Sequence, residues 1–164
     1  MTVDAFWEWS VERYSHPATR EYLLMLQDSL NLVVLEALFG LWLGSQRCEW
    51  QAGVVDRLGA ASDSWLRAVV VPLRSTRKQW RSEPTLQTAR QHLLALEVQA
   101  ERHLAELMWD AVMVSGDGVA KLLHQPDRPI ADLMRVNLGC IAPFRDGKYV
   151  SEREQVVVLI DQAT

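Results

Sequence analysis

The stretch LVVLEALFGLWLG, residues 32–44, decides the fold. In a helix of this sequence, apolar side chains lie on nearly every side, which is typical of a helix buried in a protein core. Its 13 residues are fewer than the roughly 20 that a helix needs to cross a bilayer. Glu36 also interrupts the apolar run. We therefore expect a central, buried helix and no membrane span.

One side of this helix carries a strip of small side chains. Val33, Ala37, Gly40 and Gly44 recur at helical spacing, and such a strip lets a neighbouring helix approach closely. The Gly-x-x-x-Gly spacing is a dimer motif only within an apolar membrane span. The strip therefore predicts close helix packing inside the protein.

Two helices are predicted before residue 32. Asp4 can cap a helix over residues 5–14, since an aspartate at this place accepts hydrogen bonds from the first helical amides. Pro17 suits the first turn of a second helix that runs to residue 30. Asn31 tolerates the left-handed conformation that ends a helix.

Three helices are predicted between residues 49 and 114. A short one over 49–58 should end at Gly59, and the next, over 64–80, should be kinked by Pro72 because proline cannot donate the helical hydrogen bond. The longest runs over 86–114 and stops at Ser115-Gly116-Asp117-Gly118.

The last part of the chain predicts two more helices. The first covers residues 130–142. Ser151-Glu152-Arg153-Glu154 is a capping box that predicts a helix over 151–162, although the apolar run 156–160 alone would suit a strand. The fold class is therefore all-α: a single domain over residues 1–164, built as an irregular helical bundle of six to eight helices.

Charge and cysteine usage exclude several functional classes. The net charge is −4 and the pI is near 5.6, which argues against bulk binding to nucleic acid or to an anionic membrane. Cys48 and Cys140 lack zinc-site spacing, and no cofactor motif occurs, so we expect no metal and no cofactor. The N-terminus does not resemble a signal peptide. These features predict a cytoplasmic protein.

Two carboxylates face the apolar side of the long predicted helix. Glu97 and Glu101 fall within the apolar arc that runs from Ala100 to Leu94 on a helical wheel, where an unpaired charge is very costly. The expected partners are the arginines Arg74, Arg77 and Arg90. We favour a structural ion-pair network. The alternatives are an acid/base pair in a small-molecule-binding bundle or enzyme, with Glu97 and Glu101 as the catalytic candidates, and half of a carboxylate metal site, which lacks the usual Glu-x-x-His motifs.

A stripe of basic residues is the second candidate site. Arg67, Arg74, Lys78 and Arg81 lie within residues 67–81 on one side of the predicted helix, opposite Trp65. We interpret the stripe as a solvated surface. A contact with phosphate, nucleic acid or an acidic partner is the alternative.

Tryptophan is over-represented, with seven residues against three tyrosines and three phenylalanines. Some lie on apolar helix faces and are predicted to be core: Trp42, Trp65 and Trp80. Others are candidates for contact with a partner, since exposed tryptophan is enriched at interface hot spots; these are Trp9, Trp50 and Trp109.

The sequence resembles an uncharacterised proteobacterial family, number 2390 among the domains of unknown function. The matching residues, in order along 6–102, are Phe6-Trp7, Tyr14, Pro17, Leu26-Gln27-Asp28, Phe39, Trp42-Leu43, Trp65, Pro72-Leu73-Arg74, Arg77, Glu97 and Ala100-Glu101-Arg102. The sequence departs from the family pattern shortly after Leu26-Gln27-Asp28, where it has Asn31, Val33, Leu35 and Glu36. The resemblance implies a small helical cytosolic protein without an assigned activity.

These observations together predict a non-catalytic helical protein. It would act through protein–protein contact, either with an unidentified partner or as a homodimer. The enzyme with Glu97 and Glu101 and the phosphate contact through residues 67–81 are the alternatives.

Overall fold

The computed structural model describes residues 1–50, 53–114 and 122–163, and it confirms the all-α class. Eight α-helices are present in these residues: α1 Val3–Ser15, α2 Pro17–Leu30, α3 Val34–Ser45, α4 Val54–Trp65, α5 Val71–Gln79, α6 Gln87–Trp109, α7 Ile130–Gly139 and α8 Val150–Gln162. None of these described helices is long and apolar enough to cross a membrane.

Several predicted helix boundaries are confirmed. Pro17 opens α2, and Asn31 ends it in the left-handed region with a φ of 57°. Residues 151–162 are helical rather than extended, in α8. That helix begins at Val150 without a side-chain cap, and α1 is capped by Thr2 instead of Asp4. The predicted stop at 115–118 lies outside the described residues.

The chain divides into two compact units. The first unit combines Met1–Val55 with Asp117–Thr164, and the second unit is Asp56–Gly116. The single domain over residues 1–164 stays a prediction.

Helix α3 is the core of the first unit, as its sequence predicts. Every side chain from Ala37 to Gly44 is buried. The Phe39 ring meets Phe6 of α1 edge to face, with centroids 4.8 Å apart, and Trp42 lies 5.6 Å from the same Phe6 ring. Aromatic pairs at these separations add to the free energy gained by burial. The aromatic cluster thus stabilises the packing of α1 against the central helix α3.

The small strip of α3 packs against α7. A Cβ atom built at Gly44 would lie 2.8 Å from the backbone nitrogen of Met134. At Gly40 it would lie 2.8 Å from the Trp50 ring. Both positions therefore need glycine. At Gly44 a neighbouring helix approaches closely, as the spacing predicts, whereas at Gly40 the close neighbour is the Trp50 side chain.

Replacing Gly44 by alanine should lower the free energy of unfolding by about 1–3 kcal/mol, because backbone atoms must move apart. Gly59→Ala is the matched control, since Gly59 lies inside α4 with nothing within 4 Å of an added Cβ. That change should be neutral or stabilising by up to about 1 kcal/mol. Urea denaturation of both variants measures the difference. Equal stabilities would contradict the close approach of α3 and α7.

A two-stranded antiparallel sheet corrects the start of the helix that was predicted over 49–58, whereas its later part, from Val54, is helical in α4. Strand β1, Cys48–Trp50, pairs with β2, Leu122–His124, and Cys48 lies opposite His124. Arg47, with a φ of 57°, turns the chain out of α3, and its guanidinium donates to the carbonyl of Pro126 at 2.7 Å. Three-residue strands are too short to show a periodicity, and their pairing is set by residues distant in sequence.

The second unit contains an antiparallel helical hairpin. Helix α4 continues through Gly59, where it was predicted to end, and then passes through a π-helical turn, Leu66–Val70, into α5. Pro72 lies in the first turn of α5. Because proline has no N–H to donate, a change of hydrogen bonding next to it is expected. The π-helical turn at Leu66–Val70 supplies the altered hydrogen bonding, and the helix continues beyond Pro72. Helix α6 packs along α5.

Candidate functional site

Four charged side chains form a network between α5 and α6. Arg74 Nε donates to Glu97 Oε1 at 2.8 Å, and Arg74 Nη2 donates to Glu101 Oε1 at 2.6 Å. Arg77 Nε donates to Glu97 Oε2 at 2.6 Å. The Glu97 side chain is only 5% exposed, while that of Glu101 is 31% exposed. Both Glu97 oxygens therefore have a charged partner.

The network agrees with the predicted arginine partners except in one detail. Arg90 donates through Nε to the backbone carbonyl of Arg77 at 3.3 Å. It thus contacts the backbone beside the network, whereas a carboxylate partner was predicted for it.

The two carboxyl groups have opposite pKa shifts although they are four residues apart. Burial raises the pKa of Glu97, but hydrogen bonds from Arg77 and Arg74 outweigh this effect, so its pKa is lowered. Burial raises the pKa of Glu101, the charge of Glu97 raises it further, and Arg74 offsets this only in part. Glu97 is therefore the fixed anion of the network.

The basic stripe is not a single surface. Arg74 points into the network instead of outward with Arg67, Lys78 and Arg81, which are exposed. Arg67 also forms an ion pair with Asp63 at 2.6 Å. The wheel failed here because it assumed 100° per residue, whereas the intervening π turn takes more residues per turn. The surface left for a phosphate is therefore smaller than predicted.

An apolar groove of about 460 Å³ runs between the two arms of the hairpin. One wall comes from Trp65, Val69 and Leu73, and the other from α6, where Leu96, Gln99, Ala100 and His103 line it. Trp65 is half-buried: its Nε1 donates to the Ala100 carbonyl at 2.9 Å, and its ring meets His103 at 4.7 Å. Sequence reasoning missed this groove, because it requires the pairing of two helices.

The other tryptophans divide differently from the prediction. Trp42 is core, as predicted, whereas Trp65 and Trp80 are only half-buried. Trp50 is 2% exposed and therefore is not a surface residue, which corrects its place among the contact candidates.

Trp9 and Trp109 remain half-buried. Trp9 lies under the Arg13 guanidinium, 5.2 Å from the ring centroid, and lines a small cavity of about 190 Å³ in the first unit. Neither this cavity nor the groove is lined by Glu97 or Glu101. Among the described residues, no three potential metal ligands of the His, Cys, Asp or Glu type come together.

A buried asparagine that sequence reasoning missed joins three elements of the first unit. Asn137 is fully buried on α7. Its amide nitrogen donates to the carbonyls of Gly40 and Cys48, at 2.9 and 3.0 Å, and its amide oxygen accepts from Trp50 N at 3.2 Å. The signal was present, since Asn137 lies within the apolar stripe of Leu133 and Leu138.

The fold and the groove define a small all-α protein whose second unit is a helical hairpin joined by an ion network. The chain belongs to a protein family of unknown function, DUF2390, which it matches over residues 5–108. The match therefore includes the aromatic cluster of α1 and α3 as well as both arms of the hairpin. No curated protein and no solved structure matches the chain.

Proposed function

We propose that this protein is a non-catalytic protein–protein interaction module and that the hairpin groove is its contact surface. The observation that carries the proposal is the exposed apolar lining of the groove. Leu96 on its rim is 49% exposed, and its neighbours across the groove are Val69 and Leu73. Apolar grooves between helices can receive the apolar face of a partner helix.

The arrangement of the hairpin supports this role. In a soluble helical hairpin, apolar side chains normally fill the space between the two helices. Here arginines and glutamates occupy part of that space, and Leu96 of α6, which lines the groove, is 49% exposed. The Leu96 side chain is thus available for contact with a partner.

The ion network supports a non-catalytic role. A general base needs a carboxylate within reach of a substrate. Both oxygens of Glu97 are held by arginines, and Arg74 also holds Glu101. We place this module in the bacterial cytoplasm, as the sequence and the family resemblance suggest.

Photo-crosslinking tests the proposal. A photoreactive amino acid at position 96, on the groove rim, should give a covalent protein adduct when cells expressing the full chain are irradiated. Position 94 is the matched control, since Leu94 is on the same helix and equally exposed but does not line the groove. It should give far less adduct. A protein adduct that is absent at position 96, or equally strong at both positions, would refute the groove as an interaction site.

A further inference from the structure

We propose that the first unit binds an apolar α-amino acid in the small cavity beside α1. This space of about 190 Å³, the α1 cavity, is enclosed by side chains of four helices, which are Trp9, Arg13, Ser45, Ile130, Met134, Ile160 and Asp161. All of these residues belong to the first unit, whereas the hairpin groove lies in the second. The inference therefore goes beyond the proposed function and does not depend on it.

The first argument is the incomplete pairing of Arg13. Its side chain is only 11% exposed, and its acidic partner is the preceding residue, Glu12, whose side chain is 64% exposed. An ion pair with so exposed a carboxylate contributes little. Among the described residues, the buried Nε of Arg13 has no hydrogen-bond partner. Because a buried charge is costly unless it is paired and hydrogen-bonded, a ligand carboxylate beside this guanidinium would lower the cost.

The second argument is the charge of the cavity lining. Asp161 of α8 lines the same cavity as Arg13 and is exposed. A simple carboxylate would be repelled by Asp161, and a simple amine would be repelled by Arg13. A zwitterion is complementary to both charges. This pattern favours an amino acid, with its carboxylate at the buried Arg13 and its ammonium at the exposed Asp161.

The third argument is the size and apolar character of the remaining lining. Ile130 is half-buried, Met134 and Ile160 are buried, and the Trp9 ring lies under the Arg13 guanidinium. Ligand sites usually combine such an apolar lining with a few polar groups that fix the orientation. An apolar cavity of about 150 Å³ holds a benzene molecule. The α1 cavity therefore has room for an aliphatic side chain of about the size of leucine.

Isothermal titration calorimetry of the purified full chain with L-leucine tests the proposal. The wild type should bind L-leucine with a dissociation constant of about 1 mM or lower. Absence of saturable binding up to about 10 mM would overturn the proposal, because the cavity would then hold only solvent.

A variant of Arg13 tests the placement of the carboxylate. Arg13→Gln should raise the dissociation constant at least about tenfold, because a charge-assisted hydrogen bond is lost. Arg20→Gln is the matched control, since Arg20 is exposed on α2 and does not line the cavity. It should leave the affinity unchanged. Circular dichroism checks that both variants fold, and an equal effect of the two would contradict the site.

Two analogues of the ligand test the wild type without any substitution. 4-Methylpentanoate lacks the ammonium of leucine, and L-leucinamide lacks its carboxylate. Each should bind at least about tenfold more weakly than L-leucine. Equal binding of 4-methylpentanoate would overturn the pairing with Asp161, and equal binding of L-leucinamide would overturn the pairing with Arg13. None of these outcomes affects the groove, so failure here is distinct from failure of the proposed function.

Discussion

Replacing Asn137 by leucine is expected to lower the free energy of unfolding by about 3–5 kcal/mol. The side chain is fully buried, and its amide makes three hydrogen bonds, two to the carbonyls of Gly40 and Cys48 and one from the Trp50 amide. Leucine has a similar volume but removes all three hydrogen bonds, and it leaves the buried Trp50 amide without its side-chain acceptor. Each buried unpaired group costs about 1–3 kcal/mol. Urea denaturation followed by circular dichroism measures the loss.

An aspartate at position 137 separates the hydrogen bonds from the packing. Asn137→Asp keeps the shape but places a carboxylate against two carbonyl oxygens, and burial raises the pKa of such a carboxyl. The variant should therefore be destabilised at neutral pH and recover in part at acidic pH, where the protonated carboxyl can donate one hydrogen bond. If the leucine variant loses less than about 1 kcal/mol, the hydrogen-bonded junction does not stabilise the first unit.

The helices of the first unit could be predicted because their signals are local. Residues 32–44 are apolar on every side, and Pro17 and Asn31 act through their own backbone preferences. Strand β1 could not be predicted in this way. Its pairing depends on β2, about 70 residues later in the chain, and Trp50 is buried because of that pairing and of Asn137.

The candidate site was predictable only where one helix determined it. A wheel of α6 correctly placed Glu97 and Glu101 on its inner side, because that helix is regular over 87–109. The same method placed Arg74 on the outer surface, since the π turn at 66–70 changes the rotation per residue. The groove is formed by both arms of the hairpin, and the sequence pattern of one helix does not predict which helix packs beside it.

Glutamine at position 97 and glutamine at position 101 should have unequal effects on the second unit. Glu97→Gln should lower the free energy of unfolding by about 3–5 kcal/mol at neutral pH, because it leaves the charges of Arg74 and Arg77 partly buried without their common anion. Glu101→Gln should change it by less than about 1 kcal/mol. The Glu101 side chain is more exposed, and Arg74 keeps Glu97.

The pH dependence of the two variants should have opposite signs. The pKa of Glu97 is lowered in the folded state, so its ion pairs stabilise the protein above the ordinary range of a glutamate and are lost as pH falls through the lowered pKa. The stability difference between the wild type and Glu97→Gln should therefore shrink on acidification. The pKa of Glu101 is raised, so its contribution is present at acidic pH and is lost as pH rises through the raised pKa. The wild type should therefore lose stability relative to Glu101→Gln as pH increases.

Denaturation curves between about pH 3 and pH 8 measure both trends, across the range in which glutamates titrate. The same pH dependence of stability in both variants would show that the two carboxylates interact equally with the arginines. This result would contradict the geometry, in which Glu97 binds two arginines and Glu101 binds one. Opposite trends would show that Glu97 is a structural anion which the folded state keeps ionised. Such an anion is held by two arginines and is unsuited to accept a proton from a substrate, so this outcome also weighs against the catalytic alternative.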